Sequence, residues 1–149
     1  MEVTEQEKPD MLALVNRLEQ EMNHMPQADI PVWNHWAPGV YARTILIPAG
    51  VMLTGAVHKT EHLCIISGDH EFTTDEGMQR ITHPHHIMLS KPGAKRAGYS
   101  HADTYFTTVH ATDERDLDKL VLELCDMTNQ QLIGGSENKQ MLNNRLENE

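Results

Sequence analysis

Between Tyr41 and Thr112 apolar and polar positions alternate in short runs, each closed by turn-forming residues. Tyr41–Ile47 alternates up to a Pro48-Ala49-Gly50 turn, and Val51–Val57 follows. Glu61–Ser67 ends at Gly68, and His70–Thr74 is separated from Met78–Thr82 by Asp75-Glu76-Gly77. After His83-Pro84 come His86–Leu89, a Lys91-Pro92-Gly93 turn, Lys95–Ser100 and Thr104–Thr112. Eight short strands with a turn every 8–12 residues predict a mainly β chain, a sandwich or barrel. Outside this stretch the period lengthens to that of a helix. Met11, Leu12, Leu14, Val15, Leu18 and Met22 lie on one helical stripe behind Asp10 as cap, with Pro26 and Pro31 beyond its end. A second helix is expected behind Thr112 or Asp113, with Leu117, Leu120, Val121, Leu124 and Met127 as its apolar stripe and Gly134-Gly135 as its stop. The expected order is a helical arm over 1–29, a barrel over 30–112, a helix over 113–133 and a flexible polar tail over 134–149. In that tail Met141, Leu142 and Leu146 are available for a short helix against a partner.

Charge sharpens this partition. The 149 residues carry a net charge of −10, but residues 1–29 and 113–149 each contribute −5. The segment 30–112 is neutral and holds nine of the ten histidines. A neutral barrel between acidic helices does not bind nucleic acid by neutralising phosphates. The acidic helices are instead available to a basic protein partner. The longest apolar run, Met11–Val15, has five residues, far short of the ~20 that cross a bilayer. The acidic start MEVTEQEKPD does not resemble a signal peptide. Cys64 and Cys125 read as free thiols in a reducing compartment, so a cytoplasmic location is expected.

The turns and their spacing resemble the cupin family of small jelly-roll barrels. Glu61 followed by Gly68 resembles the end of the first cupin motif, with Gly55 ahead of it, and Lys91-Pro92-Gly93 resembles the turn of the second. The series YARTILIPAG, HKTEHLCIISG, KPGAKRAGY and DTYFTTVHAT also resembles small cupin-like proteins of bacteriophages. The resemblance implies a cupin-like jelly-roll barrel flanked by N- and C-terminal helices, a metal or small-molecule ligand inside it, and a homodimer. The phage likeness implies, as the alternative, an accessory or anti-defence protein that sequesters a ligand, or docks on a protein, without metal. The family's His-x-His is absent, since Thr54 and Ala56 stand there, and Arg96 stands where the second motif has histidine. The usual ligand set therefore cannot be copied across.

The remaining histidines suggest another set. Glu61 and His62 are neighbours, so in a strand only one of them faces inward. His58 and His62 share parity, but along a straight strand they would sit roughly 13 Å apart. A bend at Lys59-Thr60 would let them share one ion. His110, or else His101, would be the third ligand. The candidate metal set is His58, His62 and His110, with Glu61 competing for the inward place and zinc, nickel, iron or manganese as the ion. The competing reading is that these are structural histidines bonded to backbone. His58-Lys59-Thr60-Glu61-His62 also spells H-x-x-E-H, a protease signature that works only on a helix, whereas its context here has period 2. Arg43, Arg96 and Tyr99 form the candidate ligand-binding set. If both arginines point inward they can clamp a carboxylate or phosphate; otherwise they line the rim. His83, His85 and His86 suit an exposed turn, and Trp33 and Trp36 are expected to cover one end of the barrel.

Overall fold

The computed structural model describes residues 10–128 and 131. The expected tail and the Gly134-Gly135 stop lie outside the described residues. The elements run α1 (Met11–Met22), β1 (Val32–Ala37), β2 (Val40–Ile47), β3 (Met52–Thr54), β4 (His62–Ser67), β5 (His70–Thr74), β6 (Gly77–Ile81), β7 (His86–Ser90), β8 (Ala97–Ser100), β9 (Thr104–Ala111) and α2 (Leu117–Leu124). Two antiparallel sheets face each other, a larger one in the order β1-β2-β9-β4-β7 and a smaller one in the order β3-β8-β5-β6. This is the mainly β architecture that the turn pattern predicts, in the jelly-roll form with flanking helices that the resemblance implies. No described helix is long and apolar enough to cross a membrane.

Alternation along each strand sorts side chains into two faces. In β4, His62, Cys64 and Ile66 are buried while Leu63 is 44% exposed. Pairing aligns the inward residues into layers. Ile45 lies opposite Phe106, and Phe106 opposite Ile66, which makes an apolar layer. The next layer is Arg43, Thr108 and Cys64. Beyond it Tyr41 lies opposite His110, with His62 at the start of β4 beside them. The inner surface therefore grades from apolar to polar along the strands.

The polar end is closed by α2. Leu120, Val121 and Leu124 are buried against Tyr41, Ala56 and Cys125, each such side chain being worth roughly 1.5–3 kcal/mol. Asp116, rather than Thr112 or Asp113, caps this helix by accepting from the Lys119 amide at 3.2 Å. The Thr112 hydroxyl instead accepts from the Glu114 amide and holds a turn ahead of the helix. The helix also stops earlier than its apolar stripe suggests. Cys125 is extended and bridges to His58, and the Lys59 amide donates to the Leu124 carbonyl at 2.7 Å. The last turn thus satisfies its carbonyls with the barrel instead of with more helix. Asp10 caps α1 as expected, accepting from the Ala13 amide. Helix α1 buries Val15 and leans on β3, where Glu19 accepts from the Thr54 hydroxyl at 2.6 Å and pairs with Lys95 at 3.1 Å.

Strand β1 is a ninth strand that the turn pattern misses. Its run VWNHWA sits between prolines and carries no apolar alternation, yet it pairs with β2 in full register. Trp36 packs on Tyr41 at 4.8 Å near the end of the barrel, but Trp33 lies 6.2 Å from Tyr105 on the outer face of the larger sheet, so only one tryptophan is placed at the barrel end. His58–His62 is not helical: a bridge, a bend and the start of β4 replace the helix that a protease site would need.

Candidate functional site

Between the sheets lies a cavity of about 560 Å3 that is lined by His58, His62, His110, Arg43 and Arg96. The three imidazoles converge: ring centres are 4.2 Å apart for His58–His62, 4.7 Å for His62–His110 and 5.4 Å for His58–His110. His58 does not continue β4. The end of α2 holds it in place, because Val57 exchanges hydrogen bonds with Asp126 and Lys59 bonds to the Leu122 and Leu124 carbonyls. The Gly93 amide, from the turn before β8, donates to the His58 carbonyl at 2.9 Å.

Each ring has one nitrogen engaged by the protein. His58 bonds to the backbone of Ala56. His62 Nδ1 lies 3.0 Å from the Thr60 carbonyl, which only accepts, so Nδ1 carries the proton and Nε2 keeps its lone pair. His110 Nε2 lies 2.9 Å from the Thr108 hydroxyl, while its Nδ1 is buried with no hydrogen-bond partner. Burial pushes His110 down to about 3 and His58 down to about 4, and it lowers His62 too. Positive charge on Arg43 pushes His58 and His110 the same way, and Arg96 does so for His58 and His62. The cluster is therefore neutral at pH 7, which is the form of imidazole that binds a metal. Among the described residues no three His, Cys, Asp or Glu side chains stand ready-made as a metal-binding group. The rings lie 15° to 40° from parallel, two pairs of them stacked. The donor set and the partnerless Nδ1 fit a metal chemically, and ligation would require the rings to turn.

The layer beneath the histidines is cationic. Arg43 rises from β2, and burial lowers its pKa. Arg96 precedes β8 in the smaller sheet, yet its Nη1 donates to the Ser90 hydroxyl on β7 at 3.1 Å and it bonds the Cys64 thiol on β4. Its guanidinium lies over Phe72, 5.7 Å from the ring centre. Burial pushes the Cys64 thiol up to about 11 and the Tyr41 hydroxyl up to about 12, so neither supplies negative charge at neutral pH.

Other expected site residues lie elsewhere. Glu61 is exposed just before β4, and His62 takes the inward place. Tyr99 does not line the cavity and packs on His101 at 4.8 Å. His101 pairs with Glu71 at 3.1 Å on the surface. His83 and His85 are exposed in the turn before β7. One cavity residue was not singled out from the sequence: His70 is 2% exposed, lines the cavity and bonds Ser100 Oγ at 2.9 Å. Its shared parity with Phe72 was the available signal.

No protein-family model matches the chain, and no curated protein matches it in sequence. Solved structures do. Salicylate 1,2-dioxygenase from Pseudoaminobacter salicylatoxidans aligns over 76% of this chain with a TM-score of 0.51 and 7% identity, and the chain covers 33% of that enzyme's length. A cupin superfamily protein from Desulfitobacterium hafniense aligns over 76% of this chain and 98% of its own, at 12% identity and a TM-score of 0.48. The Cupin_2 domain of an XRE-family transcriptional regulator from Enterobacter cloacae aligns over 57% of this chain and 99% of its own, at 15% identity and 0.46. Identities this low speak for the fold alone, and the fold is cupin-like.

Proposed function

We propose that this cupin-like barrel binds one divalent transition metal through His58, His62 and His110 and presents it to a small molecule in the cavity. The observation that carries the reading is the convergence of three neutral imidazoles, two of them buried and His58 half-buried, each with one nitrogen engaged by a protein oxygen. Metal-binding histidines are commonly held this way, because the second hydrogen bond sets the tautomer and aims the ring. When bound, the metal would act as a Lewis acid with an open position toward the cavity. The protein's own contribution is to orient the rings, keep them unprotonated and exclude bulk water by means of α2. Zinc, nickel, iron and manganese all accept such a set.

The test is metal analysis of freshly purified protein. Close to one transition metal per chain is expected, falling to near zero in the His58→Ala/His110→Ala double variant. Protein that stays metal-free after incubation with each of the four ions, at unchanged melting temperature, overturns the metal. The cavity would then read as a metal-free sequestering module, the alternative that the buried, protein-bonded histidines also support.

The reading extends to a cytoplasmic homodimer. Cys64 and Cys125 are free and buried, in keeping with a reducing compartment. On the outer face of the larger sheet Trp33, Leu63, Ile87, Leu89 and Tyr105 are 43% to 54% exposed, and registry makes them nearly contiguous. An uncharged apolar face lets two acidic copies meet without burying charge. Light scattering is expected to give a dimer mass, and Ile87→Glu a monomer; a monomeric parent protein rules the dimer out.

A further inference from the structure

The ligand itself leaves a signature in the charge of the cavity wall. Arg43 and Arg96 approach from different sheets and flank the Thr108–Cys64 layer directly beneath the histidines. Arg96 is the more informative of the two. Its contacts in the cavity are the Ser90 hydroxyl, the Cys64 thiol and the Phe72 ring, all neutral. Glu19 is the one acid among the described lining residues, and it is engaged at the rim by Lys95 and Thr54. Arg96 therefore brings to the wall a positive charge whose contacts among the described residues are neutral, in a desolvated space where a guanidinium gains most from an anionic partner. Away from the arginines the lining turns apolar through Ile45, Val51, Leu53, Phe72 and Phe106. A volume of about 560 Å3 suits a small organic molecule.

We propose that the ligand is a small carboxylic acid with an apolar body, its carboxylate gripped by the Arg96 fork with Arg43 on the facing wall, and its body against Ile45 and Phe106. The proposal rests on the cavity being the binding site, but it does not depend on the metal. The flat fork of a guanidinium matches the two oxygens of a carboxylate and so fixes its orientation. The apolar layer then selects the body by size. A head group of this kind sits one layer from the three imidazoles, within reach of whatever they hold.

The experiment is a calorimetric and thermal-shift panel on the full chain. The probes are acetate, hexanoate, octanoate and benzoate, the matching primary amides, and hexyl phosphate. Metal content is measured on the same samples. Saturable binding of hexanoate, octanoate or benzoate is expected, with acetate and the amides at least tenfold weaker. Arg96→Gln is expected to weaken carboxylate binding at least tenfold while leaving metal content and secondary structure unchanged. Arg96→Lys, which keeps the charge but not the fork, should restore only part of the affinity, and Arg43→Gln serves should Arg96→Gln fail to fold. Equal binding of acids and amides, tighter binding of hexyl phosphate, no binding by any probe, or unchanged carboxylate affinity in both arginine variants overturns the proposal. Carboxylate binding by protein that takes up no metal upholds it and removes the metal reading alone.

Discussion

Gly68→Ala is expected to destabilise the protein by about 3 kcal/mol or more, read as a drop in the urea midpoint. Gly68 closes the β4–β5 turn at φ +147°, where L side chains are strained. An added Cβ would lie 2.5 Å from Thr104 Oγ1 and 2.8 Å from both the Asp103 carbonyl oxygen and Thr104 Cα. Two of those atoms are backbone. Thr104 is itself fully buried, and its hydroxyl is committed to the Ala102 carbonyl and the Asp69 amide. Nothing there can give way cheaply. Gly50 provides the internal control, since it has φ +84° with no atom within 4 Å of its Cβ position. Gly50→Ala should therefore cost only the backbone term, about 1 kcal/mol. Equal losses at the two positions would show that conformation alone, not the close approach of β9, requires glycine at 68.

The second large effect is a loss of stability in mild acid. His70 is 2% exposed, wedged between Ser100 and the backbone of Gly98, and burial pushes it down to about 4. The charge on His101 adds to this, and Asp69 opposes it. The unfolded chain takes up this proton near pH 6.5, while the folded one resists until about 4. Between those values the unfolded state binds more protons, so stability rises with pH there and falls as the solution is acidified. The full contribution, present above pH 6.5 and spent by about pH 4, is up to about 3 kcal/mol. His58 and His110 carry the same sign in metal-free protein, so the parent should be compared with His70→Asn, whose amide keeps a partner for Ser100. Urea unfolding from pH 7 to 4 should give the variant a flatter slope by that amount. Identical slopes would mean that His70 is not held neutral by burial.

Both predictions start from residues that the sequence offers but does not explain. Gly68 is visible as the glycine seven positions after Glu61, yet the neighbour that forbids a side chain, Thr104, is 36 residues away. His70 has inward parity, but parity says nothing about how deeply a face is covered. Glu61 against His62 shows the same limit. Adjacent residues must take opposite faces, and either assignment satisfies the alternation until the pairing of β4 with β9 and β7 sets the register. Tyr99, a ligand candidate from the sequence, follows Ala97 and Gly98 of the cavity lining but does not itself line the cavity. Strand β1 was illegible because an exposed edge strand needs no apolar alternation.

Taken alone, the sequence determined what is local: the strands from period-2 runs, the turns from proline and glycine, the cap at Asp10, and a neutral histidine-rich barrel between acidic helices. These follow from backbone sterics and from the burial of one face, both of which act over a few residues. The tertiary structure decided the rest. His58 and His62 would stand roughly 13 Å apart on a straight strand, yet their ring centres are 4.2 Å apart because α2, more than 50 residues later, bends the chain at 57–59. His110 joins them only through the β2–β9–β4 pairing, and Arg96 reaches the site from the opposite sheet. The neutrality of the imidazoles comes from the same source, because desolvation depends on what is packed around a ring and not on its neighbours in the chain.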